Sequence, residues 1–178
     1  MNTHVALLRG INVGGNKKVE MKKLKQVFIS MGFTNVSTYI NSGNVLFNAE
    51  QITKDLASYL ESNLKIEFGF DIPCVVVSKE SLHKIAQSIP SEWENNEEQK
   101  TDVLFLWKDF DSKDSLNLIK TNSECDKLLY VPGAIVWNVD RNLYSKSGMD
   151  KFIATLVYKN MTARNVNTVR KLDDLMNV

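Results

Sequence analysis

Apolar positions in the first half of the chain alternate between two spacings, which predict strands and helices in turn. Residues 3–10, THVALLRG, form a nearly continuous apolar run that is typical of a strand covered on both faces. Residues 20–32 carry apolar side chains at helical spacing and end at Gly32, where a helix C-cap belongs. The same reasoning predicts two strands, a second helix and a last strand at 33–41, 44–50, 51–68 and 72–78.

The two middle strands are joined at Ser42-Gly43, a hairpin turn in which Gly43 supplies the positive φ. The order strand, helix, strand, strand, helix, strand is the ferredoxin-like pattern, a four-stranded antiparallel sheet with two helices on one face. We expect the strands at 3–10 and 43–49 to be central in that sheet and antiparallel to each other.

The pattern repeats in the second half, after a linking helix at 79–89 and a polar loop at 90–100. A second hairpin is predicted about Pro132-Gly133, and its sequence LLYVPGAIVW resembles TYINSGNVLF in the order of aromatic, glycine and apolar positions. This likeness indicates duplication of one α+β unit. The other predicted elements are strands at 102–107, 127–131 and 134–139 and helices at 112–122, 149–159 and 163–176.

The terminal helix at 163–176 is expected to stand in place of the last strand of the second unit. Thr162 is its expected cap, and its apolar stripe of Leu172, Leu175 and Met176 is expected to face inward. The predicted fold class is therefore α+β, with two ferredoxin-like subdomains that have antiparallel sheets and a C-terminal helix. The predicted boundaries are 1–78 for the first subdomain, 79–100 for the linking segment and 101–178 for the second.

Composition and charge narrow the class of protein. Of the 178 residues 43% are hydrophobic and 24% are charged, which is ordinary for a globular protein, and the net charge of +1 gives no global attraction to nucleic acid or membrane. The sequence contains neither an apolar run of membrane-spanning length nor a secretory signal at its start. With Cys74 and Cys125 read as reduced structural thiols, these features predict a cytoplasmic protein.

The segment LLRGINVGGNKK, residues 7–18, has the strand-to-helix context in which backbone N–H groups cradle phosphate. It fails the Walker A pattern, because Asn16 stands in the lysine position, Lys17 comes one residue late, and Lys18 follows it where a Ser or Thr should meet Mg²⁺. Two interpretations stay open. The glycines make only a turn, or the loop binds an anion with Arg9 as a fork-like donor placed by the end of a strand.

Three stretches of the chain resemble the bacterial domain-of-unknown-function (DUF) 1697 family. They are Arg9-Gly10-Ile11-Asn12-Val13-Gly14-Gly15, Tyr39-Ile40-Asn41-Ser42-Gly43-Asn44-Val45, and the tail from Thr162 through Arg164-Asn165 to Asn167-Thr168. The tail departs from the pattern, since Val166 falls where family members often have Trp. The resemblance implies two α+β subdomains and no assigned activity or cofactor.

Other chemistry finds little support in the sequence. His4 and His83 lack further ligands at metal spacing, and Ser42 lacks the Gly-x-Ser-x-Gly context of a nucleophile. We therefore predict neither a metal nor a cofactor nor catalytic residues, and whether the protein is an enzyme stays open. RNA-recognition modules stack bases on aromatic residues of the first and third strands, where this chain offers only Phe47, so nucleic acid is disfavoured as a partner.

The polar residues of the three stretches define the predicted ligand site. Amides and hydroxyls at strand ends are costly to bury without partners, so they either tie loops together or line a ligand cleft. The leading hypothesis is a binding module with an anion-preferring cleft for a phosphorylated or carboxylated small ligand. The alternatives are a metal-free enzyme acting on a phosphorylated metabolite and a protein–protein or nucleic-acid adaptor. The predicted ligand-binding residues are Arg9, Asn12, Asn16, Lys17, Asn41, Ser42, Asn44, Arg164 and Asn165.

Overall fold

A computed structural model describes most of the chain as a mixed α+β protein. The described residues are 2–15, 17–50, 55–152, 154–155 and 157–177. Their contacts divide the chain into two compact units, Met1–Lys79 with Leu175–Val178, and Glu80–Asp174. In the part of the chain that the structure describes, no helix is both long and apolar enough to cross a membrane.

The first unit has the predicted order of strands and helices. Its four strands form one antiparallel sheet in the order β2-β3-β1-β4, so β1 and β3 are central and antiparallel, as the sequence predicts. Asp55 caps α2 by accepting a hydrogen bond from the Ser58 N–H at 3.0 Å. The elements are β1 (Asn2–Leu8), α1 (Met21–Ser30), β2 (Thr34–Tyr39), β3 (Asn44–Ala49), α2 (Leu56–Phe68) and β4 (Cys74–Ser78).

The core of the first unit lies between its sheet and its two helices. Ala6 and Leu8 of β1 pack in one cluster with Phe28 of α1 and Leu60 of α2, all of them buried. Alternate residues of β1 point to the other face of the sheet, where Val5 and Leu7 are buried as well. Burial on both faces explains why this strand has no alternation of apolar and polar residues.

The second unit repeats the first in topology. Its sheet has the order β6-β7-β5-β8, and all three strand pairs are antiparallel. Two further helices, α3 (Lys79–Ser88) and α5 (Val166–Met176), carry a hydrogen-bonded pair in which His83 Nδ1 lies 3.1 Å from an Asp173 carboxylate oxygen. The strands are β5 (Gln99–Leu106), β6 (Lys127–Val131), β7 (Ala134–Asp140) and β8 (Met161–Asn165).

Several helix predictions for the second unit were wrong. Residues 112–122 contain a 3₁₀ helix, Lys113–Leu118, where an α-helix was expected. The predicted helix at 149–159 is an α-helix only over α4 (Met149–Phe152), and a 3₁₀ turn follows at Val157–Asn160. Short 3₁₀ segments cover this sheet where the first unit has two full α-helices, although the apolar residues of 149–159 have helical spacing in the sequence.

The predicted end of the chain also needs correction. Thr162 lies in strand β8, so the last strand is present and the terminal helix begins four residues later, at Val166. Asn165 takes the capping role instead, with its Oδ1 accepting a hydrogen bond from the Thr168 N–H at 2.9 Å. Leu172 and Met176 are buried as expected, but Leu175 is 38% exposed.

Candidate functional site

The loop between β1 and α1 is held in place by one amide side chain. Asn12, in the left-handed region with φ 55°, donates from Nδ2 to the Val19 carbonyl at 2.9 Å and to the Asn41 carbonyl at 3.0 Å. Its Oδ1 accepts from the Val19 N–H at 2.8 Å. Asn12 thus closes the loop on itself and joins it to the hairpin turn between β2 and β3.

The hairpin turn has four residues, Ile40–Gly43, and is wider than the two-residue turn predicted at Ser42-Gly43. Gly43 has the expected positive φ, 79°, and its carbonyl accepts from the Leu8 N–H at 2.8 Å. Asn44, which is fully buried, donates to the Tyr39 carbonyl and to the Ser42 hydroxyl, each at 3.0 Å. Two of the motifs identified in the sequence therefore form one hydrogen-bonded structure.

Basic residues accompany this structure. Arg9 is partly buried at the end of β1, and its backbone N–H donates to the Pro73 carbonyl at 2.8 Å. Lys17 donates to the Asp71 carbonyl at 3.1 Å, with its Nζ 5.6 Å from the centre of the Phe70 ring. The predicted site residue Asn16 lies outside the described residues.

The two remaining predicted site residues, Arg164 and Asn165, lie in the second unit. Asn165 caps α5 as described above. Arg164 is 8% exposed and donates to the Thr162 hydroxyl at 3.1 Å and to the Ala163 carbonyl at 2.8 Å. Burial lowers the pKa of its guanidinium to about 10, because the charged form loses hydration. It stays protonated at neutral pH.

The second unit repeats two backbone hydrogen bonds of the first at equivalent positions. The Leu106 N–H donates to the Gly133 carbonyl and the Trp107 N–H to the Asn160 carbonyl, which matches the pairs made by Leu8 and Arg9. Strand register agrees as well, since His4 lies opposite Phe47 in one unit and Asp102 opposite Trp137 in the other.

This agreement identifies which polar residues the fold itself does not need. Trp107 occupies the position of Arg9. Ala134, which pairs with Phe105, occupies the position of Asn44, which pairs with Leu7. The hairpin of the second unit closes through two residues, Pro132 and Gly133, instead of four. The same sheet therefore forms without the polar residues that distinguish the first unit.

A family profile described as "Protein of unknown function (DUF1697)" matches residues 1–137. The chain belongs to the DUF1697 family. The loop after β1 and the hairpin turn, which form the candidate site, lie within the matched residues. The tail stretch 162–168 lies beyond them.

One solved structure resembles this DUF1697 chain over its whole length. It is that of a conserved bacterial protein from Streptococcus pneumoniae, which has 26% sequence identity, covers 98% of each chain and gives a TM-score of 0.86. None of the curated proteins matches the chain.

At the candidate site, the hydrogen-bond partners that could not be predicted from the sequence are mostly backbone atoms. Asn12 is satisfied by Val19 and by the carbonyl of Asn41, and Lys17 by the carbonyl of Asp71. A backbone acceptor leaves no mark on residue identity, so the partners of these side chains could not be predicted. Among the described residues, no group of three or more His, Cys, Asp or Glu side chains is arranged to hold a metal ion.

Proposed function

We propose that this protein is a cytoplasmic binding module that takes a small phosphorylated or carboxylated ligand at the loop between β1 and α1. The observation that carries the proposal is the internal comparison between the two units. The second unit forms a sheet of the same topology with Trp107, Ala134 and a two-residue turn, so Arg9, Asn44 and the longer turn are features peculiar to the first unit and not requirements of the sheet.

The described residues of the loop are also hydrogen-bonded to the rest of the first unit without a ligand. Asn12 uses three hydrogen bonds to hold it, and Lys17 adds a fourth to the neighbouring segment. A preformed loop binds a ligand with less loss of conformational entropy than a loop that must become ordered. Gly14 and Gly15 have positive φ at its exposed tip, which leaves backbone N–H groups accessible to an anion.

Local charge supports an anionic ligand. Residues 9–25 contain six basic side chains and one acidic side chain, Glu20, in a protein whose net charge is only +1. The side chains of Asn12, Lys17 and Asn44 are assigned to shaping the loop, because of the hydrogen bonds described above. Arg9, Lys18 and the glycine backbone are assigned to the ligand, with Arg9 offering two parallel charge-assisted bonds.

Anion-dependent thermal stabilisation tests the proposal. Inorganic phosphate, nucleotides and sugar phosphates are each titrated into the parent protein. A ligand present at a hundred times its dissociation constant should stabilise the folded state by about 2.7 kcal/mol. Arg9→Ala should weaken binding more than Lys17→Ala does, because Arg9 is proposed to make two charge-assisted bonds to the anion, whereas the ammonium of Lys17 is bonded to the Asp71 carbonyl and adds only a nearby point charge. The thermal unfolding midpoint of each variant with anion is compared with its own midpoint without anion, since Lys17→Ala also removes a contact within the fold.

Arg9→Lys is the matched control, because it keeps the charge and removes the fork. It should bind more weakly than the parent and more tightly than Arg9→Ala. The proposal is wrong if all three anion classes leave the midpoint of the parent protein unchanged at high concentration. The glycines and amides would then serve only to turn the chain.

A further inference from the structure

Strand β2 forms one edge of the sheet in the first unit. The strand order is β2-β3-β1-β4, and among the described residues no strand pairs with the outer side of β2. Its sequence, TNVSTY, contains no charged residue and no proline, the usual protections of an exposed edge. A bulge between Thr34 and Ser37 breaks the regular pairing, so the regular edge runs from Ser37 to Tyr39.

The hydrogen-bonding pattern shows which residue of that edge faces outward. The Gly43 carbonyl accepts from Leu8 of β1, so the backbone of the next residue, Asn44, is directed to β2, where it lies opposite Tyr39. Alternation then directs the backbone of Ser37 and Tyr39 to β3. The N–H and C=O of Thr38 point away from the sheet, where an added strand would meet them.

One flank of α1 lies above this edge. Helix α1 packs on β2 and α2 packs on β4, so the side of α1 away from α2 overhangs β2. Lys23 marks the α2 side, because it forms an ion pair with Glu67 at 2.8 Å. At 100° per residue, Lys25 falls on the opposite flank, Ile29 falls between that flank and the outward face of the helix, and Lys22 lies on the outward face; all three are exposed, Ile29 by 44%.

We propose that the open edge of β2, beside this flank of α1, binds an extended acidic peptide segment of a partner protein as an added strand. The backbone of Thr38 supplies the strand pairing, Ile29 supplies an apolar contact, and Lys22 and Lys25 select negative side chains. β2 and α1 contain no acidic residue that would repel such a segment. This site is separate from the anion-binding loop and does not depend on it.

Selection from a phage library of random octapeptides tests the proposal. The recovered sequences should be rich in Asp and Glu and should alternate them with β-branched or aromatic residues. Thr38→Pro should weaken binding of a synthetic recovered peptide by about tenfold, because the ring removes the outward N–H. The fold should persist, since proline is tolerated where an edge N–H faces solvent.

Thr38→Val is the matched control, because it changes the side chain and keeps the N–H; it should bind like the parent. Lys25→Glu should also weaken binding, whereas Lys84→Glu on the exposed face of α3 should not. Recovery of no sequences, or of sequences without acidic residues, would overturn the proposal. So would equal binding by Thr38→Pro and Thr38→Val when both are folded, or a face that binds only RNA or anionic vesicles.

Discussion

Gly15 and Gly43 share a backbone conformation but differ in what surrounds them. Their φ angles are 78° and 79°. A Cβ atom at Gly43 would lie 2.7 Å from Ile11 Cδ1 and 2.8 Å from Leu8 Cβ, whereas at Gly15 it would meet no described heavy atom within 4 Å. The pair therefore separates the cost of a left-handed backbone from the cost of close packing between the hairpin turn and the loop.

We expect Gly15→Ala to lower the free energy of unfolding by about 1 kcal/mol, the cost of a side chain at positive φ. Gly43→Ala should cost about 1–3 kcal/mol more, because the methyl group displaces Ile11 and the rigid Cβ of Leu8. Urea unfolding monitored by circular dichroism measures both. Equal losses in the two variants would show that the turn and the loop are not closely packed.

Asp126 organises the second unit through four hydrogen bonds. Its carboxylate accepts from Trp137 Nε1 at 2.9 Å, from the Asn122 N–H at 2.7 Å, from the Gly148 N–H at 3.0 Å and from the Ser147 hydroxyl. Burial acts to raise the pKa of Asp126, but the hydrogen bonds outweigh it and the pKa lies below its ordinary value. The ionised form is the one that stabilises the fold.

Asp126→Asn should therefore lower stability in a pH-dependent way. At neutral pH the loss should be about 2 kcal/mol, because an amide presents N–H groups where two of the donors need an acceptor. A lowered folded-state pKa gives stability that is complete above the unfolded value, about 3.9, and is lost as pH falls through the folded pKa. Urea unfolding should show a smaller difference in the free energy of unfolding between the parent and Asp126→Asn at about pH 3 than at pH 7. A difference that is the same at both pH values would contradict this role.

At the scale of elements, α5 is capped by Asn165, a residue that the sequence predicts to bind the ligand. Asn165→Ala should lower stability by about 1 kcal/mol through loss of the cap, and Asn165→Ser should restore most of it. Thermal unfolding of the two variants and the parent gives the comparison. If alanine and serine at this position are equivalent, the bond to the Thr168 N–H contributes nothing to the helix.

The elements that could be predicted are those whose burial imposes a clear period. β1 and β3 are buried on both faces, and α1 and α2 have regular apolar stripes, so their sequences indicated them. The cover of the second sheet was predicted wrongly, because an apolar spacing such as that of Met149, Phe152 and Val157 does not distinguish one continuous α-helix from short helical segments. β8 was not predicted, because Thr162 and Arg164 are polar residues that suggest the start of a helix. In the structure both side chains are buried and hydrogen-bond to each other.

The candidate site was predictable only in part, for a related reason. Asn12, Asn41 and Asn44 were recognised as polar residues at strand ends, but residue identity does not distinguish an amide that binds a ligand from one that binds a carbonyl. The structure gives Asn12 and Asn44 internal partners. The role of Arg9 as a ligand residue stays a prediction.

At the scale of the whole molecule, each unit contains one buried free cysteine, Cys74 in the first and Cys125 in the second. Burial, as the largest cause, raises the pKa of both thiols. Both should react with a thiol reagent at pH 8 far more slowly in the native protein than in urea, since the thiolate is the reactive form. Mass spectrometry of labelled peptides then follows unfolding of each unit; fast labelling of either native thiol would contradict its burial.

The shared register of the two sheets has a consequence for refolding. β1 and β5 could exchange places without losing a backbone hydrogen bond, which is the kind of error that traps repeated domains. Side-chain volume opposes the exchange. Ala6 pairs with Val45 in the first core, and Leu104 pairs with Ile135 at the same position in the second. An exchanged strand would force a leucine into the space of an alanine and leave a void in the other core, so unequal volumes direct each strand to its own sheet.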